Sequence, residues 1–147
     1  MVPSVKNKVI FVCGKTRSGK SFVSQKLAQA MNYKFVEVSS IVKSILETNK
    51  RSEMVNKPEL DVAIVDHLKT LVKRDNLLIS GVRQSTIIKQ FPDAQIVWLH
   101  TPDHIRQEWF DRDLEIRKDD LELSQIDEMD KKLQLSSILE YIFDKDK

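Results

Sequence analysis

Cysteine, glycine and long apolar runs are all scarce in this chain of 147 residues. A single cysteine, Cys13, excludes an internal disulfide and indicates a reducing compartment, for which we expect the cytoplasm of a cell or of an infected host. No apolar run approaches the roughly 20 residues of a membrane span, and the opening MVPSVKNK lacks the apolar core of a signal peptide. We therefore expect no membrane partner. The three histidines show no spacing typical of a structural metal site, and none is expected.

The length of the chain suits one compact domain and is too short for two ordinary ones, so residues 1–147 are expected to form a single domain. Residues 1–74 carry 14 Lys and Arg against 6 Asp and Glu, whereas residues 75–147 carry 10 against 16. The basic first half suits an anionic ligand. Two solvated faces with an uneven division of charge would give the same counts.

Apolar, β-branched runs alternate with segments whose apolar residues recur at helical spacing. The strand candidates are residues 8–13, 33–38, 76–80 and 94–100. Nearly continuous apolar strands separated by helices predict an α/β fold with a mainly parallel sheet that is covered on both faces. Ligands of such sheets bind at the carboxyl ends of the strands. All three glycines lie at or just beyond those ends: Gly14, Gly19 and Gly81.

The segments after residue 100 are mostly helical in pattern. The pattern of residues 102–120 predicts a highly charged helix, and the pattern of residues 122–132 predicts a second helix. The final apolar piece ILEYIF, residues 138–143, fits either a helix or a strand. The sequence pattern leaves that choice open.

The stretch GKTRSGKS, residues 14–21, fits the pattern G-x-x-x-x-G-K-[ST] of a phosphate-binding loop. Its backbone N–H groups would form an anion nest, and the start of the following helix would add its own free N–H groups. Lys20 would place its ammonium against the β- and γ-phosphates of a nucleoside triphosphate, and the Ser21 hydroxyl would ligate Mg²⁺. The residues expected to bind the nucleotide are Gly14, Lys15, Thr16, Arg17, Ser18, Gly19, Lys20 and Ser21.

Signals elsewhere in the chain separate the classes of protein that use such loops. No N-K-x-D sequence, by which GTPases read guanine, is present. Motor-type ATPases usually have an apolar strand that ends in Asp, whereas NLLIS ends in Ser80. The small size and the arginine-bearing late helix favour a kinase that acts on a small acceptor.

Four stretches follow one another in the order of a known group of kinases: GKTRSGKS, FVEVSSIVKSILE, LLISGVRQ, and IVWLHTP followed by IRQEWFDRDLEIRKDD. With them the chain resembles the P-loop nucleotide kinase superfamily, especially nucleoside monophosphate kinases and dephospho-coenzyme-A-kinase-like proteins. The resemblance implies a three-layer sandwich with a mainly parallel five-stranded sheet and a short helical lid at about residues 102–120. It also implies ATP and Mg²⁺ as cofactors, and transfer of the γ-phosphate to an acceptor held opposite the phosphate loop.

The resemblance implies roles for residues outside the loop as well. Arg83, after the third strand, would contact the anionic group of the acceptor, and Lys43 stands where the family often has an acceptor arginine. Arginines suit a lid because their planar fork bonds two phosphate oxygens and offsets the charge of the transferring group. The lid candidates are Arg106, Arg112 and Arg117. The residues expected to act in catalysis are Lys20, Arg83 and Arg112.

Serines replace the acidic residues that the family often has near the acceptor. Ser80 stands at the Asp of Asp-Gly-x-Arg, and Ser39 or Ser40 stands at an acceptor-side Asp. A phosphate acceptor needs positioning more than it needs a base, so these departures favour a (deoxy)nucleotide acceptor. Glu37 and Asp66 remain candidate bases, and Glu37 is also a candidate for substrate binding.

Two other functions remain open from the sequence. The first is a kinase that phosphorylates a hydroxyl on DNA, such as a hydroxymethylated base of a phage genome; the basic first half and the small size favour it. The second is a non-catalytic, nucleotide-binding regulator, which the missing acidic residues would suit. Trp109 is open to two interpretations, a packing residue or a ring that stacks on a base. The oligomeric state also stays open.

Overall fold

A computed structural model describes residues 7–15, 17–46, 58–112, 121–132 and 135–145 of the chain. Within these residues we number four strands and seven helices in chain order. They are β1 (Val9–Cys13), α1 (Lys20–Met31), β2 (Lys34–Glu37), α2 (Val38–Leu46), α3 (Pro58–Val72), β3 (Leu77–Ser80), α4 (Ser85–Ile88), β4 (Gln95–Trp98), α5 (Asp103–Arg112), α6 (Leu123–Lys132) and α7 (Ser137–Lys145). Among the helices described, none combines the length and the apolar composition that crossing a bilayer requires.

The four strands form one sheet in the order β2-β3-β1-β4, and every neighbouring pair is parallel. The two central strands, β1 and β3, are buried along their whole length. The edge strands β2 and β4 are only partly buried, because among the described residues each has a neighbouring strand on one side only. The α/β fold with a parallel sheet is therefore confirmed. Gly14 and Gly81 follow the carboxyl ends of the two central strands.

Alternating side chains of β1 pack in two separate hydrophobic cores, one on each face of the sheet. Phe11 belongs to the larger core, which α2, α3, α4 and α7 cover. Ile10 and Val12 belong to the smaller core, which Ala28 of α1 helps to close. Because successive side chains of a strand point to opposite faces, a strand that is apolar at every position needs a layer on both sides. The arrangement is the predicted three-layer sandwich.

The predicted count of five strands differs from the four strands seen among the described residues. The ambiguous piece 138–143 lies in helix α7, where Ile138 is fully buried and Tyr141 and Ile142 pack against the larger core. Residues at spacings of three and four share one face of a helix, whereas in a strand they would be divided between two faces. The helix therefore packs all three side chains against the same core.

Candidate active site

The loop between β1 and α1 turns on two glycines whose backbone is in a conformation that favours glycine. Gly14 has φ 151° and Gly19 has φ 91°, and Arg17 between them is also in the left-handed region with φ 64°. A Cβ atom at Gly14 would lie 2.6 Å from the carbonyl oxygen of Leu99. Gly14 therefore allows the loop to pass directly against the segment that follows β4.

Helix α1 begins without a side-chain cap. Gly19 occupies its N-cap position, no side chain bonds the cap, and the first turn contains no acidic residue. The first N–H groups of a helix have no partner within the helix, and the positive end of the helix dipole lies there. The start of α1 can therefore receive an anion, as the loop motif predicts.

Lys20 reaches back under the loop. Its Nζ donates to the carbonyl oxygens of Gly14, at 2.9 Å, and of Lys15, at 2.7 Å. Burial, followed by the positive charge of Arg83, lowers the pKa of Lys20 from 10.5 to about 7, against the opposing effect of Asp130. The ammonium is therefore easily lost in the free protein. An anion bound in the loop would favour the charged form.

Cys13, at the end of β1, takes no part in this chemistry. Burial raises the pKa of its thiol to about 12. Because the thiolate is the reactive form, a thiol with such a pKa is inert near neutral pH. Cys13 acts as a packing residue of the larger core.

Ser21 and Glu37 bring two oxygen ligands together at the mouth of the loop. The Ser21 hydroxyl donates to Oε1 of Glu37 at 2.7 Å. Mg²⁺ prefers oxygen ligands and is usually held by one or two protein groups together with phosphates and water. These two side chains fit that description. Among the described residues, no group of three or more His, Cys, Asp and Glu side chains forms a metal site of its own.

A cleft of about 600 Å³ opens in front of the loop. The loop, the first turn of α1, the ends of β2 and β3 and one side of α5 line it. The lining residues beyond the loop are Phe22, Val23, Glu37, Ser39, Ser80, Gly81, Arg83, Trp109 and Arg112. The structure thus places the carboxyl ends of β2 and β3 and the loop that follows β1 around one cavity, which is rich in cations.

Arg83 enters the cleft from the segment after β3 and is paired with an acidic residue. Its Nε lies 3.2 Å from Oδ1 of Asp130, whose side chain is only 4% exposed. Asp130 belongs to α6 and is separated from Arg83 by 47 positions of the chain, from 83 to 130. The sequence interpretation did not identify Asp130. One signal could have found it: Asp130 follows Leu123 and Ile126 on the apolar face of its helix.

Arg106 lies elsewhere, with its side chain only 1% exposed. Its guanidinium donates to Asp103 at 2.9 Å and to both oxygens of Asp127, at 2.6 and 3.2 Å. Burial alone would lower the pKa of Arg106, but these carboxylates outweigh it and raise the pKa. Arg106 does not line the cleft and instead joins α5 to α6.

The structure brings together some of the predicted site residues and separates others. Lys20, Ser21, Glu37, Arg83 and Arg112 all line the cleft. The side chain of Lys43 on α2 and that of Asp66 on α3 are exposed and are not among the lining residues. Two further predicted residues, Thr16 and Arg117, lie outside the described residues.

Trp109 fits both interpretations that the sequence left open. Its Cζ3 would lie 4.0 Å from a Cβ atom at Gly19, so the ring packs beside the phosphate loop. The same ring lines the cleft and is only partly buried. Its position allows contact with a bound base as well as with the loop.

Comparisons with known proteins agree with this architecture. A family model described as AAA domain matches residues 10–132. A shikimate kinase from Acinetobacter baumannii, in complex with shikimate, superposes with a TM-score of 0.54 at 15% identity, over 95% of this chain and 94% of that one. A gluconokinase from Sinorhizobium meliloti superposes with a TM-score of 0.54 at 17% identity, over 97% and 99%. At such identities these structures show the fold alone. No curated protein sequence matches the chain.

Proposed function

The chain belongs to this AAA-domain family and to the P-loop nucleotide kinase superfamily, and on that premise we propose that it is a small ATP-dependent kinase. The enzyme transfers the γ-phosphate of ATP to a (deoxy)nucleotide with the help of Mg²⁺. One observation carries the proposal: the loop lysine and the predicted acceptor arginine, Lys20 and Arg83, line the same cleft. A donor phosphate on Lys20 and an acceptor anion on Arg83 would therefore meet inside one cavity.

Each side chain has a role that follows from its position. The loop amides, the start of α1 and Lys20 hold the β- and γ-phosphates. Ser21, with Glu37 beside it, would hold Mg²⁺, which neutralises phosphate charge when it is bound. Arg83 and Arg112 align the acceptor and offset charge on the transferring group. Catalysis comes from in-line positioning and electrostatic stabilisation, as is general for phosphoryl transfer.

The lining of the cleft supports a nucleotide as the acceptor. A nucleotide presents an anionic phosphate and a flat, largely apolar base. Arg83 and Arg112 supply cations for the phosphate, and Trp109 and the exposed ring of Phe22 supply flat apolar surface for the base. A cavity of about 600 Å³ also lies in the usual range for small-molecule sites.

A hydroxyl acceptor is the second candidate, and Glu37 is the observation that favours it. A hydroxyl benefits from a carboxylate that takes its proton, and the Glu37 carboxylate lines the cleft beside Ser21. The hydroxyl could belong to a small molecule or to DNA, as in a hydroxymethylated base. The kinases of similar fold are named for shikimate and gluconate.

An acceptor screen with labelled ATP and Mg²⁺ tests the proposal. The acceptors are a panel of ribo- and deoxynucleoside monophosphates, shikimate, gluconate and hydroxymethylated DNA, and the Lys20→Ala variant is the control. We expect label transfer to one or more of the monophosphates by the wild type only. Transfer only to a hydroxyl compound would replace the first candidate with the second. Binding of ATP without transfer to any acceptor would contradict both and favour a regulator.

A further inference from the structure

Helix α6 lies beside the cleft, and two of its carboxylates pair with arginines. One of these arginines lines the cleft and the other does not. Asp127 binds the buried Arg106, which lies outside the cleft lining. Asp130, one turn further along, binds Arg83, which lines the cleft. Of the two pairs, only the second joins α6 to a residue that can contact a ligand in that cavity.

We propose that Asp130 is a positioning residue of the active site, which fixes the guanidinium of Arg83 where it contacts both the transferring phosphate of a bound polyphosphate and the anion of the acceptor. The proposal rests on the proposed function, because it assumes that the cleft binds a polyphosphate. Asp130 itself is not among the residues that line the cleft. It acts through Arg83.

Because the ion pair of Arg83 with Asp130 is largely buried, its desolvation makes it a poor source of folding stability. The carboxylate of Asp130 is almost completely removed from water, and the side chain of Arg83 is about one-fifth exposed. The desolvation cost of such a pair can equal or exceed the attraction between its charges, and apolar side chains of similar volume often stabilise a fold as well. What an apolar pair could not supply is a cation held in one orientation at the edge of the cleft.

The cations of the cleft give a second reason for a carboxylate at this place. Lys20 and Arg83 line the same cavity, so their like charges oppose each other. The carboxylate of Asp130, with Oδ1 3.2 Å from Nε of Arg83, offsets part of that repulsion from outside the lining. A polyphosphate can therefore meet both cations in one cavity.

A role of Asp130 in orienting Arg83 and a purely electrostatic role predict opposite effects of Asp130→Asn on the affinity for an anion. The proposal can therefore be tested by measuring that affinity. Removal of a negative charge near the site would by itself strengthen the binding of an anion. Loss of the fixed orientation of Arg83 would weaken it, because the planar fork binds phosphate oxygens only in a suitable geometry. We expect binding to weaken about tenfold.

The experiment is a double-mutant cycle with inorganic triphosphate and Mg²⁺ as the probe, measured by calorimetry. Wild type, Asp130→Asn, Arg83→Gln and the double variant are compared across pH, and their affinities are read at the low-pH plateau, where Lys20 is charged in every variant. If Asp130 acts through Arg83, its substitution no longer weakens binding once Arg83 is Gln, and only the strengthening that follows from the lost negative charge remains. Asp130→Glu keeps the charge but moves the carboxylate by one methylene, so it should also weaken binding.

Asp127→Asn is the matched control, since it alters the same kind of pair one turn earlier on α6. We expect it to lower the melting temperature and to leave the triphosphate affinity unchanged. Tighter or equal binding by Asp130→Asn, or full affinity in Asp130→Glu, would overturn the positioning role while the kinase proposal stands. If the folded wild type binds no triphosphate, the kinase proposal fails, and the role of Asp130 fails with it.

Discussion

The two sides of the cleft are built in different ways. On the loop side, residues 14–21 form the phosphate-binding loop from consecutive positions, with hydrogen bonds that span three to six residues. On the helix side, the ion pair of Arg83 with Asp130 joins the segment after β3 to α6, and the ion pair of Arg106 with Asp127 joins α5 to α6. On the loop side, the arrangement of the binding groups is therefore determined by neighbouring residues of the chain. On the helix side, it depends on contacts between residues that are far apart in the sequence.

The largest effect is expected on the loop side, from Lys20→Ala. Among the described residues of the loop, Lys20 is the only lysine whose Nζ donates to the carbonyl oxygen of Gly14. The substitution removes this ammonium from the loop. We expect phosphoryl transfer to fall by about three orders of magnitude or more, as is usual when a positioned cation is lost from such a site. Label transfer to the acceptor found in the screen measures the loss.

Lys69→Ala, which removes an exposed lysine of α3, is the control for Lys20→Ala and should keep full activity. Both variants should melt close to the wild type. Transfer at the wild-type rate by the Lys20→Ala variant would mean that the loop does not hold the transferring phosphate.

On the helix side the largest effect is expected on stability, from Arg106→Met. The substitution keeps much of the volume but removes the guanidinium from Asp127 and from Asp103, which keeps its longer contact with Lys15 at 3.8 Å. Breaking a buried pair costs about 3–5 kcal/mol. We expect the low end, roughly 3 kcal/mol or about 6–12 °C in melting temperature, because both carboxylates keep some access to water.

Thermal unfolding measures the effect of Arg106→Met, with Arg74→Met as the control. Arg74 is exposed in the turn after α3. Equal melting temperatures for the two variants would show that Arg106 does not join α5 to α6 in the way its contacts indicate.

A smaller loss of stability is expected on the loop side from Gly14→Ala. Its Cβ would lie 2.6 Å from the carbonyl oxygen of Leu99, in a backbone conformation that is already strained for alanine. We expect a cost of roughly 2 kcal/mol, or about 4–8 °C. Gly81→Ala is the matched control: its φ of 92° is also positive, but the nearest atom is 3.9 Å away. Thermal unfolding should therefore find Gly81→Ala less destabilised than Gly14→Ala; the reverse order would contradict the predicted clash.

A further effect, on the pH dependence of ligand binding, links the two sides of the cleft. Because the pKa of Lys20 is about 7 in the free protein, polyphosphate binding above that pH must be coupled to the uptake of a proton. We expect triphosphate affinity to fall between pH 7 and 9, by up to about tenfold per pH unit. Calorimetry at pH 8, in two buffers of different ionisation enthalpy, measures the proton uptake.

Stability should change with pH in the opposite direction. Between pH 7 and 10.5 the unfolded chain holds the Lys20 proton that the folded chain has lost, so the contribution of Lys20 to stability rises with pH in this window. Lys20→Arg should remove both pH effects, since arginine stays charged. Affinity that is constant from pH 7 to 9 in the wild type would contradict the lowered pKa.

Prediction from the sequence succeeded where neighbouring residues determine the structure. The location of the glycines at or just beyond the ends of strands was predicted, as were the strand before the loop and the helix after it. The parallel sheet was predicted from strands that are apolar along their whole length. The prediction of a fifth strand came from family resemblance, and residues 138–143 proved to be helical. The apolar spacing in that piece was too short to distinguish a helix from a strand.

The site was predicted less completely, because arginines at similar positions along a charged helix look alike in a sequence. Arg106 and Arg112 lie on the same helix, yet Arg106 is buried among carboxylates and Arg112 lines the cleft. Asp130 was missed because its partner, Arg83, lies 47 positions earlier in the chain, with α4, β4 and α5 between them. Helical periodicity would place Asp130 on an apolar face, but periodicity does not identify the cation that makes the burial of its carboxylate possible.

The sequence by itself determined the phosphate loop, since its backbone shape depends on glycines and on the hydrogen bonds of residues within it. It also determined the parallel sheet, through strands that are apolar on both faces. Only the tertiary structure decided which arginines enter the cleft and which carboxylates hold them. The physical reason is range: backbone conformation is set by adjacent residues, whereas the state of a buried charge is set by whatever group the fold brings against it.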